Sequence, residues 1–477
     1  MKKFKKITAL SLALAMGLSL AACGGGKDAT TQEKKADDTT AAPSDNTGDT
    51  TAAAADEATA IEKPEATGDP IYVYSWNTEL GGIIENYFLA KYPEYKDLIK
   101  YVNLECSGTD GVYAEKITNL LNEGGSEAPD LMAFDSDVVG GFIESDFIAN
   151  VADLGITPTM YADAYEYTIA HGTYDGNVKA LSWQATPGCF VYRADIAKEV
   201  LGTDDPDQVQ ESVKDWDTFF ATADKMKEAG YKMLSGADDI KYVVTDQRSE
   251  AFVKDDTLKL DDSVKTLFEY SKKLYDGGYT NKTAMWNDAW NQSYDGDVFG
   301  WFGTTWFTYW SINTEKHVGD FRLCTGPAKY HWGGSYMVAS SQCKNKELAA
   351  FVMYTLTCDA DFMAEYFGGE KLGADYLGED QKNGSSDFVN NKKAVEKIIA
   401  AGAGACKTLG DQNPVSFWAD YAASMSIADG SAYDADMINY ITEAMTAYNE
   451  GKVADPDAAI KMVKDKVSQD KSFITVE

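Results

Sequence analysis

Flat aromatic rings crowd residues 297–313, DVFGWFGTTWFTYWSIN, where Trp301, Trp306 and Trp310 stand among four further rings. Gly300 and Gly303 interrupt the run. A site that grips a sugar ring needs this mixture, because aromatic rings cover the apolar C–H face and a close backbone reaches the hydroxyls. A Trp-rich buried strand and helix would have the same composition. The segment by itself therefore leaves both interpretations open.

Acidic side chains are the second group that could act on a small molecule. Asp and Glu total 76, so close pairs such as Asp135 and Asp137 arise by chance. A glycoside hydrolase needs two carboxyl groups on opposite sides of the bond that it breaks, and a single loop does not supply that arrangement. We therefore expect no catalytic residue and no enzymatic activity.

The sequence indicates no cofactor and no metal. The three histidines, His171, His317 and His331, are scattered along the chain. The segment 402–408, GAGACKT, resembles a phosphate loop, but Cys406 stands where such a loop needs a glycine before the lysine. The formal net charge of −33 repels nucleic acid phosphates, so we expect a solvated acidic surface and no nucleic-acid partner.

The elements that must position a site begin near residue 69. Apolar runs predict strands at 71–76, 99–104 and 128–134, separated by helices near 83–88 and 111–121. This alternation is typical of an α/β layer with a mostly parallel sheet, in which ligands lie beyond the carboxyl ends of the strands. One rim of the sheet would then carry Trp76, Asn77, Glu79, Asp135, Ser136 and Asp137.

Further elements follow along the chain. Apolar patterning predicts strands at 178–184, 189–193, 321–327 and 333–339. Helices are predicted by apolar residues at helical spacing, and Asp215 is a good N-cap for the first of them. They cover 215–230, 258–275, 345–355, 362–367, 392–401, 437–445 and 459–467.

The first residues have the pattern of an export signal. A basic start, MKKFKK, precedes an apolar run at 7–22 that is too short for a comfortable membrane span of about 20 residues. The run ends in LAAC followed by glycines, which resembles the lipobox of bacterial lipoproteins. That resemblance implies a signal peptide at 1–22 and a lipid, palmitate among its acyl groups, on Cys23. Residues 23–68 then form the lipidated cysteine and a disordered tether, because their composition cannot bury enough surface to fold.

Six cysteines follow Cys23, and none forms a C-x-x-C pair or stands beside a histidine at zinc-ligand spacing. Six cysteines outside the cytoplasm could pair in 15 ways. The chain is too large to need disulfides for stability. We expect most of the six to be buried free thiols.

Taken in order, the motifs resemble those of the extracellular solute-binding proteins of ABC importers, most of all the branch that takes up maltose and other sugars. The resemblance covers residues 69–467. It is carried by the lipobox and tether, the opening Trp strand, and four later segments. These are PDLMAFD at 129–135, YDGNVKALSWQATPGCFVYRADI at 174–196, DWDTFF at 215–220 and GDVFGWFGTTW at 296–306.

This resemblance implies the periplasmic-binding-protein-like fold, with two α/β lobes, strands that cross between them and a ligand cleft. Residues 69–189 and 328–400 would form lobe 1, and residues 190–327 and 401–477 lobe 2. Crossings are expected near 189–193 and 326–332. The lobes of such proteins close over the ligand, so the protein would act as a receptor and not as an enzyme.

Site residues are implied by the same resemblance. Trp306 and Trp418 match Trp residues that stack on sugar in the maltose binders. Ser136 and Asp137 fall where strand-end residues contact hydroxyls, although the family pair there is His-Asp. The first loop supplies Trp76, Asn77 and Glu79. Trp183 and Gln184 precede the first crossing and Trp332 lies beside the second, so all three are candidates to face the cleft.

The sequence thus predicts a monomeric, extracytoplasmic receptor that is lipid-anchored to the outer face of the cell membrane. It would capture a carbohydrate, in particular an oligosaccharide, and deliver it to the permease subunits of an ABC transporter. A secreted carbohydrate-active hydrolase, a binding protein for a non-sugar solute and a surface scaffold without a small ligand are the alternatives.

Overall fold

A computed structural model describes residues 58–109, 111–312, 316–368, 388–410, 412–428 and 430–476. The side chains of Tyr309 and Trp310 are not part of this description. The predicted signal peptide at 1–22, Cys23 and residues 24–57 of the predicted tether lie outside the described residues. Within the described residues no helix is both long and apolar enough to cross a bilayer.

Residues 58–68, the last part of the predicted tether, contact the folded body. Lys63 forms an ion pair with Glu94 at 2.6 Å, and the hydroxyl of Tyr95 donates to the carbonyl of Pro64. Ile61 packs against the core. These residues are therefore part of the body, and any free tether ends before Ala58.

Five strands form the first sheet, in the spatial order Ile99–Asn103, Ile71–Ser75, Leu131–Asp135, Ser335–Ala339 and Ala180–Ser182. The first three are parallel, as predicted, and the other two pairings are antiparallel. Leu131 and Ala133 enter one core cluster, whereas Met132 and Phe134 enter another. Both faces of the sheet are thus covered, which explains why this strand is continuously apolar.

Three antiparallel strands form the second sheet, with Gly188–Arg193 between Gly300–Thr304 and Phe321–Cys324. Residues 183–187 lead from the first sheet to the second, and residues 325–334 lead back. The three remaining strand pairs are short: Thr173–Tyr174 with Asn177–Val178, Leu234–Gly236 with Thr280–Thr283, and Val253–Lys254 with Thr257–Leu258.

Helices flank both sheets, and their ends follow local sequence signals. Asp215 caps its helix as predicted, accepting from the Thr218 backbone at 2.8 Å in a reciprocal capping box. The α-helices are Glu79–Ile83, Leu89–Lys91, Val112–Glu123, Ser136–Ile143, Glu166–His171, Ala194–Leu201, Pro206–Val213, Trp216–Glu228, Lys241–Thr245, Asp262–Gly277, Asp288–Asn291, Lys346–Thr357, Ala360–Gly368, Lys392–Ala400, Val415–Ala423, Asp434–Asn449 and Pro456–Asp470. Ile84–Phe88 and Phe307–Ser311 are single π-helical segments, and Pro93–Tyr95, Val151–Leu154, Gln292–Asp295 and Lys407–Leu409 are 3₁₀ turns.

The helix Asp434–Asn449 matters most for the site. It packs against Asp262–Gly277 and also contacts Ser136–Ile143, which follows a strand of the first sheet. All six cysteines of the described chain are unpaired, and only Cys106 among them is not buried. The predicted free thiols are therefore confirmed for these six residues.

Candidate functional site

A cavity of about 650 Å³ opens at the carboxyl ends of the parallel strands of the first sheet. Its walls come from the loops after these strands, from both connections between the sheets, and from the helix Asp434–Asn449. The lining residues are Trp76, Asn77, Glu79, Ser107, Gly108, Thr109, Asp135, Asp137, Gln184, Tyr242, Trp286, Trp306, Trp332, Gly333, Gly334, Ser335, Ala435, Ile438 and Asn439.

One side of the cavity is an aromatic wall made of Tyr242, Trp286, Trp306 and Trp332. The ring of Trp332 stacks on Tyr242, with centroids 4.7 Å apart, and meets Trp306 edge-on at 5.0 Å. Trp286 lies 6.0 Å from Trp306 and 5.7 Å from Trp332. Because each ring is braced by its neighbours, the wall presents fixed aromatic surface to whatever occupies the cavity.

Trp286 is held in an unusual backbone conformation. Its φ is 70°, in the left-handed region that bulky side chains rarely adopt, and its side chain is among the few large apolar groups exposed at the surface. Strain of this kind persists where the surrounding structure enforces it, and it clusters at ligand sites. Trp286 is thus a lining residue that the sequence analysis does not include among the site candidates.

A separate indole, Trp76, lines the cavity from the first sheet. Its ring meets Tyr113 edge-on at 5.6 Å. Gly108 lies so close that a Cβ atom there would be 2.8 Å from the Trp76 ring. The loop 107–109 therefore needs a glycine at this point in order to lie against the indole and complete the cavity wall.

Two aspartates stand where the strand Leu131–Asp135 passes into the helix Ser136–Ile143. The Asp135 carboxylate caps this helix by accepting from the Asp137 backbone at 3.0 Å. Burial and the neighbouring charge of Asp137 raise the pKa of Asp135 to about 7. Burial also raises the pKa of Asp137. The cavity therefore holds two carboxyl groups that ionise less readily than exposed ones.

Glu79 is the third acid of the cavity, and two predicted site residues hold its carboxylate in place. Gln184 donates from Nε2 to Glu79 Oε1 at 2.6 Å. The Trp183 indole donates to the same oxygen at 3.5 Å. Trp183 itself is buried and does not line the cavity, so its contact with the site is through Glu79.

A buried ionic cluster adjoins the cavity and shares Asp137, Tyr242 and Trp332 with it. Arg248 lies 3.2 Å from Asp434 and 3.3 Å from Asp246, and all three side chains are about nine-tenths buried. The His331 backbone donates to Asp246 at 2.6 Å. Burial alone would raise the pKa of Asp246, but contact with His331 and the charge of Arg248 lower it. The cluster joins the connection 325–334 to the helix Asp434–Asn449.

Seven of the ten predicted ligand-binding residues line this one cavity. Three do not: Ser136, Trp183 and Trp418. Ser136 is buried at the first turn of its helix, where its carbonyl accepts a hydrogen bond from His171 at 2.8 Å. The seven that line the cavity are Trp76, Asn77, Glu79, Asp137, Gln184, Trp306 and Trp332.

Trp418 is completely buried in the helix Val415–Ala423. Val415, Trp418 and Ala422 follow one another at helical spacing and form the buried stripe of this helix. The Trp418 ring lies 6.0 Å from Phe388. In this structure the side chain packs in the core and offers no surface to the cavity, so we do not include it in the proposed site.

Sequence reasoning also missed Tyr242, the loop 107–109 and the turn 333–335. Gly333 and Gly334 both have positive φ values, and a Cβ atom on Gly333 would lie 3.3 Å from the Trp306 indole nitrogen. The Gly-Gly pair at the start of the predicted strand 333–339 is the sequence signal for this close approach, and the observed strand begins only after it, at Ser335. Tyr242 had no comparable signal.

The lining is suited to binding. Among the residues that the structure describes, no group of acids, histidines and cysteines is arranged to hold a metal ion. The aromatic wall offers stacking surface, and the carboxylates and amides offer hydrogen bonds to polar groups of a ligand. The arrangement is that of a site that grips a polar molecule with apolar faces.

Comparison with protein families gives one match. The family model for bacterial extracellular solute-binding proteins covers residues 90–374, which is more than half of the chain. A search among curated protein sequences finds no match.

Several solved structures are similar over their whole length. One extracellular solute-binding protein of family 1 has a TM-score of 0.70 at 17% identity and covers 84% of this chain and 100% of its own. The galacto-N-biose-/lacto-N-biose I-binding protein of an ABC transporter from Bifidobacterium longum, in complex with lacto-N-biose, has a TM-score of 0.65 at 14% identity and covers 87% and 100%. An ABC transporter associated binding protein from B. animalis subsp. lactis, in complex with beta-1,6-galactobiose, has a TM-score of 0.62 at 17% identity and covers 86% and 100%. At these identities the likeness concerns the fold, which is the predicted periplasmic-binding-protein-like α/β fold.

Proposed function

The chain belongs to the bacterial extracellular solute-binding protein family, and from that premise we propose that it captures a carbohydrate for the permease of an ABC importer. The observation that carries this proposal is the cavity of about 650 Å³ with an aromatic wall and carboxylates on its lining. Pockets of roughly 300–1,000 Å³ hold drug-sized ligands, and a short oligosaccharide is of that size.

The proposed site uses Trp306 and Trp332 as stacking surfaces for the apolar faces of sugar rings. Trp76 would cover the ligand from the first sheet. Asn77 and Asp137 would form hydrogen bonds with hydroxyls, and Gln184 would act mainly by holding Glu79 in place. The two similar solved structures in complex with lacto-N-biose and beta-1,6-galactobiose support a disaccharide or a longer chain as the ligand class.

We propose that the two sheets belong to two lobes, close to residues 69–189 and 328–400 on one side and 190–327 and 401–477 on the other. Trp76, Asp135 and Asp137 reach the cavity from the first sheet, whereas Trp306 reaches it from the second. A ligand held by both groups favours a closed arrangement because only that arrangement makes both sets of contacts. Small-angle scattering should show a smaller radius of gyration when saturating ligand is added.

The export signal and Cys23 complete the proposal. A lipid on Cys23 would keep the receptor at the outer face of the membrane while the tether gives it reach. Replacing Cys23 by Ser should release the protein into the medium, and metabolic labelling with palmitate should mark only the wild type. Labelling of the Cys23→Ser variant would contradict this assignment.

A panel of neutral mono- and oligosaccharides, tested for thermal shift and for product release together, examines the function directly. A shift without product supports a receptor. Product formation would favour the hydrolase alternative, and no shift with any saccharide would favour a non-sugar solute or a scaffold.

The site itself is tested by Trp306→Ala, with affinity for the best saccharide measured by calorimetry. Loss of one stacking surface should weaken binding roughly tenfold to hundredfold. Trp216→Ala is the matched control, because Trp216 packs on Phe219 and Tyr270 away from the cavity. Equal affinities for the Trp306 variant and the wild type would refute the site.

A further inference from the structure

The lining of the cavity is unbalanced in charge. Glu79, Asp135 and Asp137 all contribute carboxylates. No lysine, arginine or histidine stands among the described lining residues. In the part of the chain that the structure describes, neither Asp135 nor Asp137 forms an ion pair within 4.0 Å. An occupant of this cavity meets negative charge from the protein without matching positive charge on the same surface.

Three cations lie behind the lining, and all face other acids as well. Arg248 is paired with Asp246 and Asp434, and His331 contacts Asp246. Lys241 interacts with Asp238 more strongly than with Asp137, and its ammonium lies 5.1 Å from the Tyr242 ring. These groups therefore leave the cavity carboxylates only partly compensated.

The aromatic wall also favours a positively charged ligand, independently of the carboxylates. The faces of Trp and Tyr carry partial negative charge and attract cations within about 6 Å of the ring centroid. Tyr242, Trp306 and Trp332 stand on the same lining as the two aspartates. Carboxylates and aromatic rings on one lining make an environment that stabilises a positively charged group with several N–H donors.

We propose that the ligand carries a positively charged nitrogen, as an amino sugar does, and that Asp135 and Asp137 hold its ammonium beside the aromatic wall. This inference rests on the proposed function, since it takes the ligand to be a carbohydrate. A bare metal ion does not fit, because no described group of acids is arranged for metal ligation. A wholly neutral sugar would offer the two carboxylates hydroxyl donors but no positive charge, so it would compensate them less fully than an ammonium when the site closes.

Proton release on binding should distinguish a ligand with an ammonium group from a neutral sugar. The pKa of Asp135 is raised to about 7 in the empty cavity by burial and by Asp137. A bound ammonium favours the carboxylate form, so binding at neutral pH transfers a proton from Asp135 to the buffer. The apparent binding enthalpy will then depend on the ionisation enthalpy of the buffer, whereas a neutral sugar will not release this proton.

The experiment uses the full chain and matched ligand pairs that differ in one group. Glucosamine is compared with glucose, galactosamine with galactose, mannosamine with mannose, and the β-1,4-linked glucosamine dimer with cellobiose. Calorimetry is run at neutral pH in two buffers of different ionisation enthalpy. We expect the amino member of at least one pair to bind at least tenfold more tightly than its neutral partner, with proton release.

The double variant Asp135→Asn, Asp137→Asn tests the assignment to these residues. It should lose at least tenfold in affinity for the amino sugar and release no proton. Thermal unfolding of the double variant checks that the fold is kept, and its affinity for the neutral partner should fall less than its affinity for the amino sugar. Asp207→Asn is the control, since Asp207 is an exposed residue of the helix Pro206–Val213 and does not line the cavity.

The possible results separate this inference from the proposed function. If neutral sugars bind as well as or better than their amino partners, the inference is wrong and the proposed function stands. If neither this set nor the neutral saccharide panel binds, both are wrong. If an amino sugar binds more tightly but the double variant retains the preference, the assignment to Asp135 and Asp137 is overturned.

Discussion

Replacing Asp135 by Asn should make the ligand-free protein more stable at neutral and alkaline pH. The carboxylate of Asp135 has two separate effects on the folded state. It caps the helix Ser136–Ile143 through the Asp137 backbone at 3.0 Å, which stabilises, and it places a charge in a buried position, which destabilises. Asn caps helices about as well as Asp, so the substitution keeps the first effect and removes the second.

The magnitude follows from the raised pKa of Asp135. Its value of about 7 in the folded protein compares with about 3.9 in an unfolded chain. The folded state therefore binds more protons than the unfolded state in this window, so the stability of the wild type falls as the pH rises from about 4 to about 7. A difference of about three units corresponds to at most about 4 kcal/mol, and screening by solvent at the partly exposed side chain reduces it to about 2 kcal/mol.

Calorimetric melting at pH about 4 and about 8 measures the difference in stability between the Asp135→Asn variant and the wild type. The variant and the wild type should melt alike at the lower pH, and the variant should melt higher at the upper pH. For a chain of this size the melting temperature rises by roughly 1 °C for each kcal/mol of added unfolding free energy. The variant should therefore melt about 2 °C higher than the wild type at the upper pH. Asp215→Asn is the control, because the hydrogen bonds that the Asp215 carboxylate accepts from Thr218 lower the pKa of Asp215, so its substitution should not stabilise at any pH. An Asp135 variant that is equally stable or less stable at the upper pH would refute the reasoning.

Three further changes have defined outcomes. Arg248→Met leaves two buried carboxylates without their cation and should cost about 3–5 kcal/mol of unfolding free energy. Denaturant titration measures this cost. A value below about 1 kcal/mol would mean that these ion pairs contribute no more than surface pairs do. Gly303→Ala puts a Cβ atom 2.6 Å from the Phe307 ring, so it should lower the unfolding free energy by about 1–3 kcal/mol. It should also weaken saccharide binding, measured by calorimetry, because it displaces the turn that carries Trp306. Thiol titration of the delipidated native protein should detect Cys106 alone among the six described cysteines, and reaction of several would contradict their burial.

Much of the first sheet could be predicted, because its strands are apolar runs separated by amphipathic helices. Ligands of parallel sheets lie beyond the carboxyl ends of the strands, which is where the sequence places Trp76, Asn77 and Asp137. These three residues do line one cavity. The antiparallel second sheet could not be predicted. Gly188–Arg193 is buried on both faces, and a continuous apolar run does not reveal the direction of its neighbours.

The parts of the site that sequence reasoning missed are those fixed by tertiary packing. Trp286 lies in a region without periodicity, and its position depends on a left-handed backbone that no neighbouring residue signals. Trp418 is a site candidate by resemblance alone, and its spacing from Val415 and Ala422 is that of a buried helical stripe. Periodicity favours a core position for Trp418, and the structure places its side chain in the core.

The aromatic run at 297–313 shows why composition alone could not decide between core and ligand surface. Trp301 and Phe302 lie in the strand Gly300–Thr304 and are buried, and Phe307 fills the space that Gly303 leaves open. Trp306 stands between them at the end of the strand and lines the cavity. The buried rings fix the turn on which Trp306 sits, so its half-buried indole is already ordered before a ligand arrives. The run 297–313 therefore contains both core residues and a cavity-lining residue, which is why its composition fits either a buried segment or a ligand site.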